Sequence, residues 1–126
     1  MKREIIAINS EKKYEGAYSQ AIKAGNFVFT SGFRTIDSSI NLETHTINTL
    51  ENLELILNKA RTSLKNAVKM TVYIYDINNW GIFNSTYKKY FEKFNSPLPA
   101  RTTVEVGHFP EGQRIEIDVI AIISEN

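Results

Sequence analysis

From Ala67 to Tyr75 polar and apolar residues alternate, with Val68, Met70, Val72 and Ile74 on one row and Lys69, Thr71, Tyr73 and Tyr75 on the other. A period of two predicts a strand with one buried face. Upstream the period is different. From Thr44, apolar residues recur at Ile47, Leu50, Leu53, Leu57, Ala60 and Leu64, which predicts one amphipathic helix running to about Arg61. After Asp76-Ile77-Asn78-Asn79, a capping region, Trp80, Phe83, Tyr87, Phe91 and Phe94 fall three or four residues apart and predict a second helix.

Five more segments read as strands. Glu4 to Ile8 is the first, with Asn9-Ser10-Glu11-Lys12-Lys13 as its polar exit. Gly16 to Ile22 and Asn26 to Ser31 flank Lys23-Ala24-Gly25 and predict a hairpin. Near the end, Arg101 to Val106 and Arg114 to Ile123 alternate again. Strand, helix, strand, helix, strand in succession implies parallel crossovers. The expected architecture is α+β, a mixed sheet with two helices on one face.

The other face then has no helix to cover it. Along the last strand Ile115, Ile117, Val119, Ala121 and Ile123 form an apolar row. The opposite row, Arg114, Glu116, Asp118, Ile120 and Ile122, passes from charged to apolar, so both faces are expected to be partly buried. Apolar surface of this kind predicts symmetric self-association.

Composition narrows the chemistry. A chain of 126 residues with 42% hydrophobic content fits one domain with its own core, residues 1–126, and shows no span of membrane length. It has no cysteine, which excludes disulfides and thiolate nucleophiles and suits a reducing compartment. The apolar stretch behind the basic start is too short for a signal peptide, so a cytoplasmic protein is expected. A formal net charge of +1 gives no general case for binding nucleic acid or a membrane. Its two histidines, His45 and His108, have no second ligand at a metal-binding spacing and read as surface or loop residues.

Arg101 is the leading candidate for chemistry. Pro97 and Pro99 restrict the backbone before it and force an extended approach, aiming a guanidinium from a strand start. Such a fork suits a carboxylate or phosphate. Glu116 lies mid-strand between Ile115 and Ile117, and a carboxylate there calls for a partner. Arg101 is the natural one; a structural ion pair or a solvated face are the alternatives. Ser31-Gly32 reads as a turn or a backbone pocket. The Trp80, Phe83, Tyr87 and Phe91 stripe reads as core. Tyr18 fits core, interface or pocket lining.

Six fragments, Gly16-Ala17-Tyr18-Ser19-Gln20-Ala21, Phe29-Thr30-Ser31-Gly32, Val68-Lys69-Met70-Thr71-Val72-Tyr73, Asn84-Ser85-Thr86-Tyr87, Pro99-Ala100-Arg101-Thr102-Thr103-Val104-Glu105-Val106 and Ile115-Glu116-Ile117-Asp118-Val119-Ile120-Ala121, together resemble the RidA/YjgF family over nearly the whole chain. The resemblance implies a chorismate-mutase-like fold, a mixed six-stranded sheet with the last strand inside it. It also implies a homotrimer around a central barrel, with three clefts between subunits.

Family members hydrolyse reactive enamines and imines, such as 2-aminoacrylate and 2-iminobutanoate, to 2-keto acids and ammonia. By resemblance, Arg101 binds the substrate carboxylate, and Glu116 holds and polarises water or moves a proton to the leaving amine. Tyr18, Ser31, Gly32, Asn84 and the backbone at Thr103 match positions lining the cleft. Neither cofactor nor metal is implied.

The chain departs from the pattern with Ala17 where many active members have proline, Thr103 where they have cysteine, and Phe33-Arg34-Thr35 where they have Gln-Ile-Pro. A second reading therefore stays open, a non-catalytic, carboxylate-binding regulatory or chaperone-like trimer of the same fold. Nuclease activity, attached to some relatives, finds no basic stripe or metal site in the sequence.

Overall fold

The computed structural model describes residues 2–8, 17–37, 40–109 and 112–123. Among these residues seven strands form one sheet: β1 (Arg3–Ile6), β2 (Ala21–Ala24), β3 (Phe27–Thr30), β4 (Phe33–Ile36), β5 (Ala67–Ile74), β6 (Ala100–Glu105) and β7 (Gln113–Ile122). The described residues also form two α-helices, α1 (Leu42–Lys59) and α2 (Trp80–Glu92).

The order is β1-β2-β3-β7-β5-β6, with β4 also paired to β7. The ten residues of β7 take β3 against Ile120–Ile122 and β4 against Gln113–Ile117 on one side, and β5 on the other. The last strand is thus interior, as the family resemblance implied. Among the described residues only the β5–β6 pairing is parallel.

The hairpin forms with its turn displaced toward the C-terminus from the expected Lys23-Ala24-Gly25. β2 and β3 pair from Ala24↔Phe27, leaving Gly25 and Asn26 as the turn. Gly25 has φ 60°, as the first position of a two-residue turn requires for a right-twisted ribbon. Gly16, where the second strand was expected to begin, and the polar exit at 9–13 lie outside the described residues. The seventh strand, β4, was not expected. Its four residues are too few to show a period, and its order comes from pairing with β7.

α1 starts at Leu42, two residues before the expected Thr44, because the Asn41 side chain accepts the Thr44 N–H at 2.9 Å. It ends in a Schellman arrangement: Thr62 N–H donates to Leu57 O, Arg61 N–H to Asn58 O, and Arg61 takes φ 65°. Leu50, Leu53, Ile56 and Leu57 are fully buried against the sheet, whereas Ile47, expected on that face, points outward. His45 is also fully buried rather than at the surface. Its Nε2 lies 2.6 Å from the Asp37 carbonyl, which ties α1 to the end of β4. His108 is exposed beyond β6, as expected.

β5 buries Ala67, Met70, Val72 and Ile74, while Val68 is exposed. The register against β7 slips between Ala67 and Lys69. This bulge resets the alternation and turns Val68 away from the core. From the other strands Val28, Ile115, Ile117, Val119 and Ala121 join the core, and from α2 Phe83, Tyr87 and Phe91. The helix-free face keeps Phe27, Phe29 and Ile122 about half-exposed in the single chain.

Candidate functional site

β6 and α2 build the first half of the site. Arg101 stands opposite Met70 and Thr103 opposite Val72, both fully buried, so the Arg101 and Thr103 side chains share the helix-covered face. On α2, residues at helical spacing meet the guanidinium. Its Nη2 donates to Asn84 Oδ1 at 2.8 Å, and its carbon lies 4.7 Å from the Tyr87 ring centre, 5.3 Å from Phe83 and 6.0 Å from Trp80. Weakly hydrated and planar, a guanidinium suits such a seat of ring faces.

The aromatic stripe therefore has two duties. Phe83, Tyr87 and Phe91 are core as expected, but Trp80 is half-exposed and, with Phe83 and Tyr87, walls Arg101. The spacing of Trp80 and Asn84, one turn apart, was the available signal. The Tyr87 hydroxyl is buried and has no hydrogen-bond partner among the described residues, and burial pushes its pKa upward against the opposing pull of Arg101. The Thr103 hydroxyl is likewise buried and unpartnered.

β7 and the β3–β4 junction build the second half. Glu116 alternates with buried Ile115 and Ile117 and leaves the sheet on the helix-free face. Its cross-strand neighbours are Tyr73 on β5 and Arg34 on β4. Arg34 Nη1 is 3.7 Å from Glu116 Oε1, and Gln113 Nε2 donates to the same oxygen at 3.3 Å. The other oxygen packs over Gly32, where an added Cβ would lie 2.6 Å from the Glu116 carboxyl carbon.

Ser31-Gly32 is the short link by which the chain passes from β3 to β4 alongside β7. It is fixed by its neighbours: Ser31 N–H donates to Gln20 O at 2.9 Å and its hydroxyl to Ser19 O at 2.7 Å. Tyr18, Gln20, Ser31, Gly32, Phe33 and Arg34 line a recess of about 240 Å³. Phe33 also packs against the core cluster. On the same face Tyr73 donates to Asp118 at 3.2 Å, and its phenol is pushed up by burial and then by the Asp118 charge.

The site residues expected from sequence thus fall into two groups. Arg101, Asn84 and Thr103 gather on the helix side of β6; Tyr18, Ser31, Gly32 and Glu116 gather at β7. Pairing of Arg101 with Glu116 within one chain is not found. Their strands are separated by β5, their side chains leave opposite faces, and each has other partners. Among the described residues no group of three or more His, Asp or Glu is placed to hold a metal ion.

The fold defines the class, a small α+β protein made of one mixed sheet with two helices on a single face. The chain belongs to the RidA/YjgF family: the family model described as Endoribonuclease L-PSP matches residues 9–123. It is 38% identical to a RutC family protein of Pyrococcus abyssi, covering 96% of this chain and 98% of that one. It is 33% identical to the 2-iminobutanoate/2-iminopropanoate deaminase of Salmonella typhimurium, covering 93% and 95%. Among solved structures it resembles E. coli TdcF with bound serine, with a TM-score of 0.85 and 30% identity over 96% of this chain and 99% of that chain.

Proposed function

We propose that this protein is a hydrolytic deaminase of small 2-imino acids and their enamine tautomers, acting as a homotrimer in the cytoplasm. The observation that carries the reading is the seating of Arg101, a guanidinium fixed by Asn84 and three rings at the start of a strand. Such a fork accepts a carboxylate in one orientation and so fixes the atoms attached to it.

The substrate carbon needs only water, because the C=N carbon of a protonated imine is already electrophilic. Glu116 orients that water and takes its proton as the C–O bond forms. Returning that proton to nitrogen, and then taking the proton of the new hydroxyl as the C–N bond breaks, Glu116 lets ammonia leave and the 2-keto acid form. Tyr18, Ser31 and Gly32 line the recess beside this carboxylate, and Thr103 borders Arg101. Because Arg101 and Glu116 leave opposite faces, the working cleft joins the Arg101 side of one subunit to the Glu116 side of the next. The exposed Phe27, Phe29 and Ile122 supply apolar surface for that association.

The test is to generate 2-iminobutanoate in situ and follow its decay. Wild-type protein accelerates it and Arg101→Ala does not. No acceleration, with 2-ketobutyrate still binding in calorimetry, leaves the non-catalytic carboxylate-binding reading instead. Sedimentation equilibrium showing only monomer at micromolar concentration overturns the shared cleft.

A further inference from the structure

We propose that Gln113 and Arg34 are positioning residues for Glu116: together they hold its Oε1, so that Oε2, above Gly32, is the oxygen presented to the reacting water. This role rests on the deaminase reading of Glu116. A carboxylate that must take a proton along one line needs its torsions fixed, since an unbraced glutamate spreads over several rotamers.

The fold makes a specific arrangement for this. Residues three apart on a regular strand point to opposite faces. Gln113 and Glu116 nevertheless meet, because the β4–β7 register slips by one residue between Arg34↔Glu116 and Ile36↔Gln113. Irregularities of this kind re-aim side chains and occur beside active sites. Here the slip brings the Gln113 amide round to Glu116 Oε1 while Gln113 stays almost wholly buried, at 4% exposure. Its own Oε1 is buried and finds no hydrogen-bond partner among the described residues. An amide kept in that environment is costly, so its donated bond has to be worth keeping.

Arg34 completes the grip. It faces Glu116 directly across the strands, with Nη1 3.7 Å from the oxygen that Gln113 holds. Gly32 sets the opposite wall, since any larger residue would occupy the space of the carboxyl group. Glu116 is therefore bounded on both sides. Phe33-Arg34-Thr35, the stretch that departs from the family pattern, acquires a role here: Arg34 acts on the carboxylate rather than on substrate.

Gln113→Leu, Arg34→Ala and Arg34→Lys are compared with wild type on 2-iminobutanoate, with thermal melts to establish folding. The expected result is a fall in kcat of about tenfold or more for Gln113→Leu and Arg34→Ala, with KM and 2-ketobutyrate affinity within about twofold, and partial recovery in Arg34→Lys. Unchanged kcat in folded Gln113→Leu and Arg34→Ala overturns the role, as does a loss confined to KM, which would make Arg34 a substrate contact. Should either variant fail to fold, ¹⁵N spectra of the Gln113 side-chain amide decide. Those resonances shift in Glu116→Gln if the contact exists and stay in place if it does not, the second result overturning the role. No turnover by wild type removes the deaminase reading and this role with it; turnover in wild type with the variants unaffected removes this role alone.

Discussion

Arg101 and Glu116 project from opposite faces of one sheet, with β5 between their strands. A cleft using both takes one from each of two subunits. Mixed assemblies of Arg101→Ala and Glu116→Gln subunits should therefore recover activity that neither variant shows alone. In a randomly mixed equimolar trimer, about one cleft in four is wild type at both positions. Mixing after unfolding and refolding, followed by the imine-decay assay, checks this; no recovery would place both residues in one subunit's site.

The guanidinium of Arg101 is held by its shape as well as its charge, through one hydrogen bond to Asn84 and three ring faces. Arg101→Lys keeps the charge and loses the fork. Its affinity for 2-ketobutyrate should fall by about tenfold or more, measured by calorimetry. Equal affinity would show that a point charge suffices.

Tyr87 combines a buried hydroxyl lacking a partner with a ring that Arg101 needs. Tyr87→Phe keeps the ring, so stability near neutral pH should be unchanged or raised by up to about 1 kcal/mol. Its effect at high pH has a definite sign. The phenol's folded pKa lies above the ordinary value of 10.0, mainly through burial, so folding holds on to a proton that the unfolded chain loses. Stability from this group is complete below pH 10 and declines as pH rises beyond it. Urea midpoints at pH 9 and pH 11 should therefore converge in Tyr87→Phe relative to wild type. An identical pH dependence in the two proteins would refute the assignment.

Gly32→Ala places a methyl group where the Glu116 carboxyl lies. The carboxylate must turn away, and imine turnover should drop by about ten- to a hundredfold, with a stability cost of about 1–3 kcal/mol. Undiminished turnover would remove Glu116 from the reaction or show that it works from another rotamer.

The sequence pattern carried most of the elements and little of their meeting points. Alternation placed β5, β6 and β7. What failed depended on register, a relation between strands. Val68 leaves the face its alternation predicts because a single-residue slip against β7 reverses the pattern before it, and Gln113 reaches Glu116 through a second slip that no sequence period signals. His45 read as a surface residue because no partner stands nearby in sequence, whereas its partner is the carbonyl of Asp37 at the end of β4. Trp80 fitted the helical stripe but sits at the rim of the core, where the ring is spent on Arg101. Arg101 and Glu116 were both legible as candidates. Their separation was not, since pairing two charges by type says nothing about which face each leaves.

The position of β7 has a further consequence for motion. It is bordered on both sides along its length, while β6, among the described residues, is bound on one side only and forms a margin of the sheet. Amide protons in β7 should then be among the slowest to exchange with solvent and those along the outer rim of β6 among the fastest of the strands. Glu116 thus rides on the stiffest part of the chain and Arg101 on a compliant one, so that the carboxylate defines a fixed point toward which the arginine, with whatever it carries, can adjust.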